Sequence, residues 1–204
     1  MIEPVIQHFN TEAASYHTRS MRWPWSLLRQ REAQAVVQAL CFGGCSPAGA
    51  TCLDAGCGAG YYSTILLQLG ASIIHGVDAS PGMLEAYRHA GFEGWPAELA
   101  TLQLPQRYDV VLCAGALEFC PQPDVAAQQL AAHVAPGGML VLLMPRACTA
   151  GRLYQWSHAR HGVHIHLFSD DPLNWLPQTF PLRRPEGFQP IKRGFALIDR
   201  FDCP

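Results

Sequence analysis

Apolar and polar positions along the middle of the chain follow a repeating order of short buried runs and amphipathic stretches. Thr51-Cys-Leu-Asp54 is a brief apolar run that ends in an acid followed by glycines, which predicts a buried strand entering a tight turn. Tyr61 to Gln68 carries apolar residues at helical spacing and stops before Gly70, a suitable C-terminal cap. Ile73 to Asp78 reads as a second strand, and Ser80-Pro81 opens a second helix that should close near Gly91. A weaker strand falls near Phe92 to Trp95. The unbroken apolar runs Tyr108 to Cys113 and Met139 to Met144 have the character of central parallel strands covered on both faces, separated by a helix over Asp124 to Val134 and a turn at Pro136-Gly-Gly138.

Strands alternating with helices at this pitch predict an α/β fold: a Rossmann-like open, mostly parallel sheet with right-handed crossovers, helices on both faces and ligands at the carboxyl ends of the strands. After Pro145 the rhythm changes. Ala150 to Arg160 and Pro172 to Gln178 read as helices, and Phe180 to Arg184 with Phe195 to Phe201 as a closing antiparallel pair. The expected organisation is one domain over 1–204: N-terminal lid helices over 1–45, a cofactor-binding core over 50–145, a small cap over 146–180 and closing strands over 180–204.

Composition narrows the functional classes. The chain has 204 residues, 49% of them apolar, enough for one core without disulfides or metal. Its formal net charge of −2 offers no global field for phosphates, so nucleic acid is not an expected partner. No apolar run reaches the roughly 18–20 residues of a membrane span, and the N-terminus lacks a basic region followed by an apolar one. A cytoplasmic protein, monomer or homodimer, is therefore expected, and eight cysteines without paired zinc spacing predict reduced thiols and no metal site.

The chemistry concentrates in Asp54-Ala-Gly56-Cys-Gly58-Ala-Gly60. A dinucleotide site needs G-x-G-x-x-G, and here the third glycine comes one residue early. The turn instead suits bare backbone lying against a bulky, uncharged part of a ligand, with Asp54 placed to accept from an ammonium group or its water. Asp78 can accept both hydroxyls of a ribose, so a nucleoside ligand satisfies both acids. Four histidines (158, 161, 164 and 166) supply imidazoles suited to proton transfer near neutral pH. With Trp156 and Phe168 they suggest an aromatic cover over a pocket.

At this point the sequence resembles the class I S-adenosylmethionine-dependent methyltransferases over roughly residues 5 to 145. CLDAGCGAGYYS (52–63) is similar to their glycine-rich first motif, GVDASPGML (76–84) to the second, YDVVLCAGALEFCPQP (108–123) to the fourth-strand motif and APGGMLVLLMP (135–145) to the fifth-strand segment. FNTEAASYH (9–17) is similar to the N-terminal helix of the small-molecule branch that includes malonyl-carrier-protein and quinone-pathway methyltransferases.

The resemblance implies about seven strands with the last antiparallel, S-adenosyl-L-methionine as cofactor and a small-molecule methyl acceptor reacting through oxygen or nitrogen, with sulfur or carbon ranked behind them. It implies cofactor contacts from Tyr16, Arg22, Asp54, Gly56, Gly58, Gly60, Asp78 and Ala79. Met83, Ala97, Glu98, Ala114 and Leu117 complete that set. The chain departs from the family near the third strand, where Trp95-Pro96-Ala97-Glu98 lacks the acid that often precedes Ala-Glu, leaving adenine to Glu98 or the Ala97 backbone. Glu118 lies where the acceptor enters in this family; with His161 it is a catalytic candidate. A nicotinamide oxidoreductase and a non-catalytic S-adenosylmethionine-binding module are the alternative readings.

Overall fold

The structure, a computed structural model, describes residues 3–20 and 25–204. Two helices, α1 (Glu3–Ser20) and α2 (Trp25–Leu40), precede the alternating unit. That unit runs β1 (Thr51–Ala55), α3 (Tyr61–Gln68), β2 (Ile73–Asp78), α4 (Pro81–His89), β3 (Glu93–Pro96), β4 (Tyr108–Ala114), α5 (Pro123–Ala132) and β5 (Val134–Pro145). Then come α6 (Thr149–Ala159), β6 (Ile191–Arg193) and β7 (Ala196–Asp202). One seven-stranded sheet results, ordered β3-β2-β1-β4-β5-β7-β6. β1 to β5 are parallel, β7 runs antiparallel to β5, and β6 antiparallel to β7.

Both faces of the sheet are buried, which is why its central strands read as continuous apolar runs. On one face Val36, Ala39 and Leu40 of α2 and Leu66 of α3 cover Cys52, Leu112 and Val141. On the other, Ala126 and Leu130 of α5 cover Leu53, Val111 and Leu140. Register aligns the strand ends: Ala55 pairs with Val77, Asp78 with Pro96 and Ala114 with Leu143. The chain leaves β1 toward β2 on one side and returns through β4 on the other. Such a reversal opens a crevice at the carboxyl edge.

Three expectations need correction, all involving proline or glycine. Residues 180–184 form no strand; Pro181 and Pro185 remove ladder donors, and only Arg183 bridges to Asp202, while Ile191–Arg193 supplies the edge strand instead. The helix expected over Pro172 to Gln178 is a single turn, Pro172–Asn174, with Pro177 close behind. The turn at Pro136-Gly-Gly138 lies inside β5, where Gly137 at φ 74° accompanies a shift of register against Tyr108 and Val110.

Candidate functional site

The three glycines after β1 all have positive φ, but each meets a different requirement. A Cβ on Gly56 would collide with the Ala116 methyl; one on Gly60 would lie 3.2 Å from both Tyr87 and Phe92; one on Gly58 would meet nothing, because it would point into an open cavity. The turn is tied to the second strand. Gly56 and Cys57 N–H donate to Val77 O at 2.7 and 3.0 Å.

Asp78 supports the same turn. Its Oδ2 accepts from Gly58 N–H at 2.9 Å and its Oδ1 from Ser80 N–H at 2.8 Å. Each oxygen keeps a further lone pair for a ligand hydroxyl. Burial pushes its pKa up while these backbone donors oppose the rise. Ser80 caps α4 by accepting from Met83 N–H at 3.2 Å. It also donates to Asn10 Oδ1 at 2.7 Å, where Gly82 N–H arrives at 3.0 Å, so one α1 amide fastens that helix over the cavity.

Behind the turn lies a polar chain that sequence reasoning missed. Asp54, 2% exposed, accepts from Ser63 Oγ at 2.7 Å, and Ser63 Oγ lies 2.8 Å from the Tyr87 hydroxyl. Burial raises the Asp54 pKa to about 7 against the Ser63 hydrogen bond. Tyr87 fits because Gly76 and Gly94, on neighbouring strands, leave room for its ring.

A cavity of about 920 Å³ opens over the strand ends, near the upper end of the roughly 300–1,000 Å³ usual for ligand sites. Gly56, Gly58, Asp78, Ala79, Met83 and Ala114 line it, with Ala97 and Glu98 beside them. Three expected contacts are not brought to it. Asp54 is turned toward Ser63, Gly60 packs on Tyr87 and Phe92, and Leu117 is 0% exposed in the core. Arg22 and the side chain of Tyr16 lie outside the described residues.

The far half of the cavity is aromatic. Phe9 of α1 meets Phe119 edge-on at 5.0 Å between ring centres; Phe119 meets His158 of α6 at 5.6 Å; Tyr154 meets His158 at 4.6 Å and stacks on Phe195 at 4.8 Å. His161 lines the rim and is itself exposed, with His8 of α1 at 6.2 Å. His164 and His166 do not line the cavity among the described residues, though the His166 backbone N–H donates to Glu118 O at 2.8 Å. Among the described residues no cluster of three or more metal-ligating side chains is present.

Glu118 lines the same cavity. It is 3% exposed, burial raises its pKa to about 8, and its Oε2 has no hydrogen-bond partner among the described residues. α2 adds two groups with no motif to announce them. The Arg29 guanidinium lies 4.0 Å from the centre of the Tyr61 ring, and burial raises Glu32 to about 7 while Arg29 opposes it. The signal was present in the helical spacing, since Glu32 borders the stripe Ala33, Val36 and Leu40.

An open parallel sheet with a glycine turn and an acid at the second strand end defines a nucleotide-cofactor class of domain. The chain belongs to the methyltransferase domain family, whose pattern matches residues 25–182. It is 36% identical over 126 residues to the mitochondrial ubiquinone biosynthesis O-methyltransferase of Schizosaccharomyces pombe, covering 57% of this chain and 46% of that protein. It is likewise 36% identical over 99 residues to the ubiquinone biosynthesis O-methyltransferase of Paraburkholderia phytofirmans, covering 45% of this chain and 42% of that one. The chain therefore spans less than half the length of these curated relatives.

Solved structures share the fold over nearly the whole chain. Magnesium protoporphyrin IX methyltransferase from Synechocystis superposes with a TM-score of 0.76 at 18% identity, covering 98% of each chain. The N-methyltransferase NodS from Bradyrhizobium japonicum gives 0.70 at 20%, covering 98% of each.

Proposed function

We propose that the protein transfers a methyl group from S-adenosyl-L-methionine to a small-molecule acceptor. The observation that carries this reading is one continuous cavity with two unlike ends: a backbone cradle at Gly58 beside Asp78, and an aromatic chamber beneath α1 and α6. The cradle fits the cofactor. A Cβ at Gly58 would fill it, and the Asp78 oxygens retain lone pairs for ribose hydroxyls. Glu98 and the Ala97 backbone would face the adenine amino group, and Arg29 with Glu32 would take the amino-acid end.

The bound sulfonium supplies an already activated methyl group, so the protein's work is alignment, exclusion of water and removal of a proton. Glu118 is the better placed proton acceptor, being a buried residue of the cavity lining, whereas His161 stands at the rim. The sequence similarity to ubiquinone biosynthesis O-methyltransferases supports a small-molecule acceptor. Among the described residues no helix is long and apolar enough to cross a membrane. Eight free thiols support a reducing, cytoplasmic setting for the protein.

Calorimetry with S-adenosylhomocysteine tests this directly. Micromolar binding, with none for a nicotinamide dinucleotide, is expected. The reverse pattern would make the protein an oxidoreductase. Binding without turnover of any metabolite in a whole extract, read by mass spectrometry of methylated products, would make it a binding module.

A further inference from the structure

We propose that the methyl acceptor is an amine, entering as an ammonium ion that pairs with Glu118 and lays its organic body against the surrounding rings. The inference rests on the methyl-transfer reading and adds the acceptor's class.

Three observations converge on it. Glu118 lines the cavity and its Oε2 is buried without a partner among the described residues, and a buried carboxyl in that state is costly unless it is protonated or meets a donor carrying positive charge. Its pKa of about 8 records that cost. The lining is also rich in acid: Glu32, Asp78, Glu98 and Glu118 face the cavity, and Arg29 is the sole Arg or Lys among the described residues that line it. Arg29 sits on Tyr61 beside the glycine turn rather than in the aromatic half. Finally, Phe9, Phe119, Tyr154 and Phe195 line the same cavity as Glu118, and aromatic faces attract organic cations.

A phenol would satisfy this site less well. Its hydroxyl can donate to the carboxylate but brings no charge to offset it. An ammonium does both, and the excess of acid lets it approach a second cation, the sulfonium. For transfer, the nitrogen gives one proton to Glu118 and its freed lone pair forms the new N–C bond. The C–S bond breaks with its electron pair on sulfur, and the proton passes from Glu118 to water. The products are a methylated ammonium and a neutral thioether.

The test is calorimetry on protein saturated with S-adenosylhomocysteine, comparing phenethylamine and naphthylethylamine with their hydroxyl isosteres and with para-ethylphenol. The amines should bind at least about tenfold more tightly. In Glu118→Gln that preference should shrink to less than about threefold with S-adenosylhomocysteine affinity unchanged; Glu118→Asp, which keeps the charge, should retain part of it and serves if the Gln variant does not fold. Equal binding of amines and hydroxyl compounds, tighter binding of the phenol, or a preference that survives both substitutions would overturn the proposal. Failure of the wild-type protein to bind S-adenosylhomocysteine would overturn the methyl-transfer reading itself, whereas intact cofactor binding with no amine preference overturns the acceptor class alone.

Discussion

At the strand ends the cavity is walled largely by backbone around the Asp78 carboxylate, with Met83 and Glu98 beside it, whereas beneath α1 and α6 it is walled by side chains from segments as distant as Phe9 and Phe195. The first half is held by the hydrogen bonds of the sheet: Gly56 and Cys57 on Val77, Gly58 and Ser80 on Asp78. Altering it means altering the sheet edge. The second half is held by ring packing and by the Asn10 amide, so single substitutions can reshape it without disturbing the first. A protein built this way can keep one cofactor while its acceptor changes.

The largest expected effect breaks the backbone half. Gly58→Val puts a branched side chain into the cavity at a φ of +50°, so S-adenosylhomocysteine affinity should fall more than about hundredfold. The backbone strain, roughly 1–3 kcal/mol, should lower the melting temperature by no more than about 10 °C. Gly60→Val should show the opposite balance, losing folding first, because its Cβ meets Tyr87 and Phe92 instead of ligand space. Titration calorimetry beside thermal melts separates the two. If Gly58→Val binds normally, the turn is merely structural.

Next comes Asp78→Ala. Each hydrogen bond to a charged group contributes roughly 1.5–3 kcal/mol, so cofactor affinity should drop at least about tenfold in a protein that still folds. An unchanged dissociation constant would move the ribose site elsewhere.

Glu118 sharpens the contrast through pH. In the unfolded chain it ionises near its ordinary value of 4.5, but in the folded protein it stays protonated until about 8. Its contribution to stability is therefore full below about pH 4.5 and is lost as pH rises through 8, with Glu32 and Asp54 acting in the same direction toward about 7. The unliganded protein should melt at a lower temperature at pH 8 than at pH 5. Glu118→Gln, which cannot ionise, should flatten that fall by roughly 10 °C, at about 1.4 kcal/mol per pKa unit over the interval between pH 5 and 8. Parallel curves for the two proteins would contradict a protonated, buried Glu118.

The smallest effect is expected at the rim. His161→Ala should leave S-adenosylhomocysteine binding intact and reduce turnover of the true acceptor by less than about tenfold, since the ring is exposed. A loss of roughly 10²–10⁴-fold, the range for a general base, would transfer that role from Glu118 to His161.

What the sequence by itself determined was the local part. The turn from Asp54 to Gly60, the acid closing β2 and the Ser80 cap with Pro81 are each encoded within a few residues, because φ preference, capping and strand periodicity act at that range. These suffice for the parallel sheet and the cofactor edge. Tertiary structure decided which side chains face which space. Asp54 and Leu117 sit in motifs yet point into the interior, while His8, Arg29 and Glu32 belong to no motif yet reach the cavity. Their positions depend on how α1 and α2 lie across the strand ends, α1 held by Asn10 meeting Ser80 and Gly82 some seventy residues away and α2 by the packing of Val36, Ala39 and Leu40 on the sheet. Contacts between distant segments carry no periodicity along the chain, so the acceptor chamber took shape only when the helices closed over the sheet.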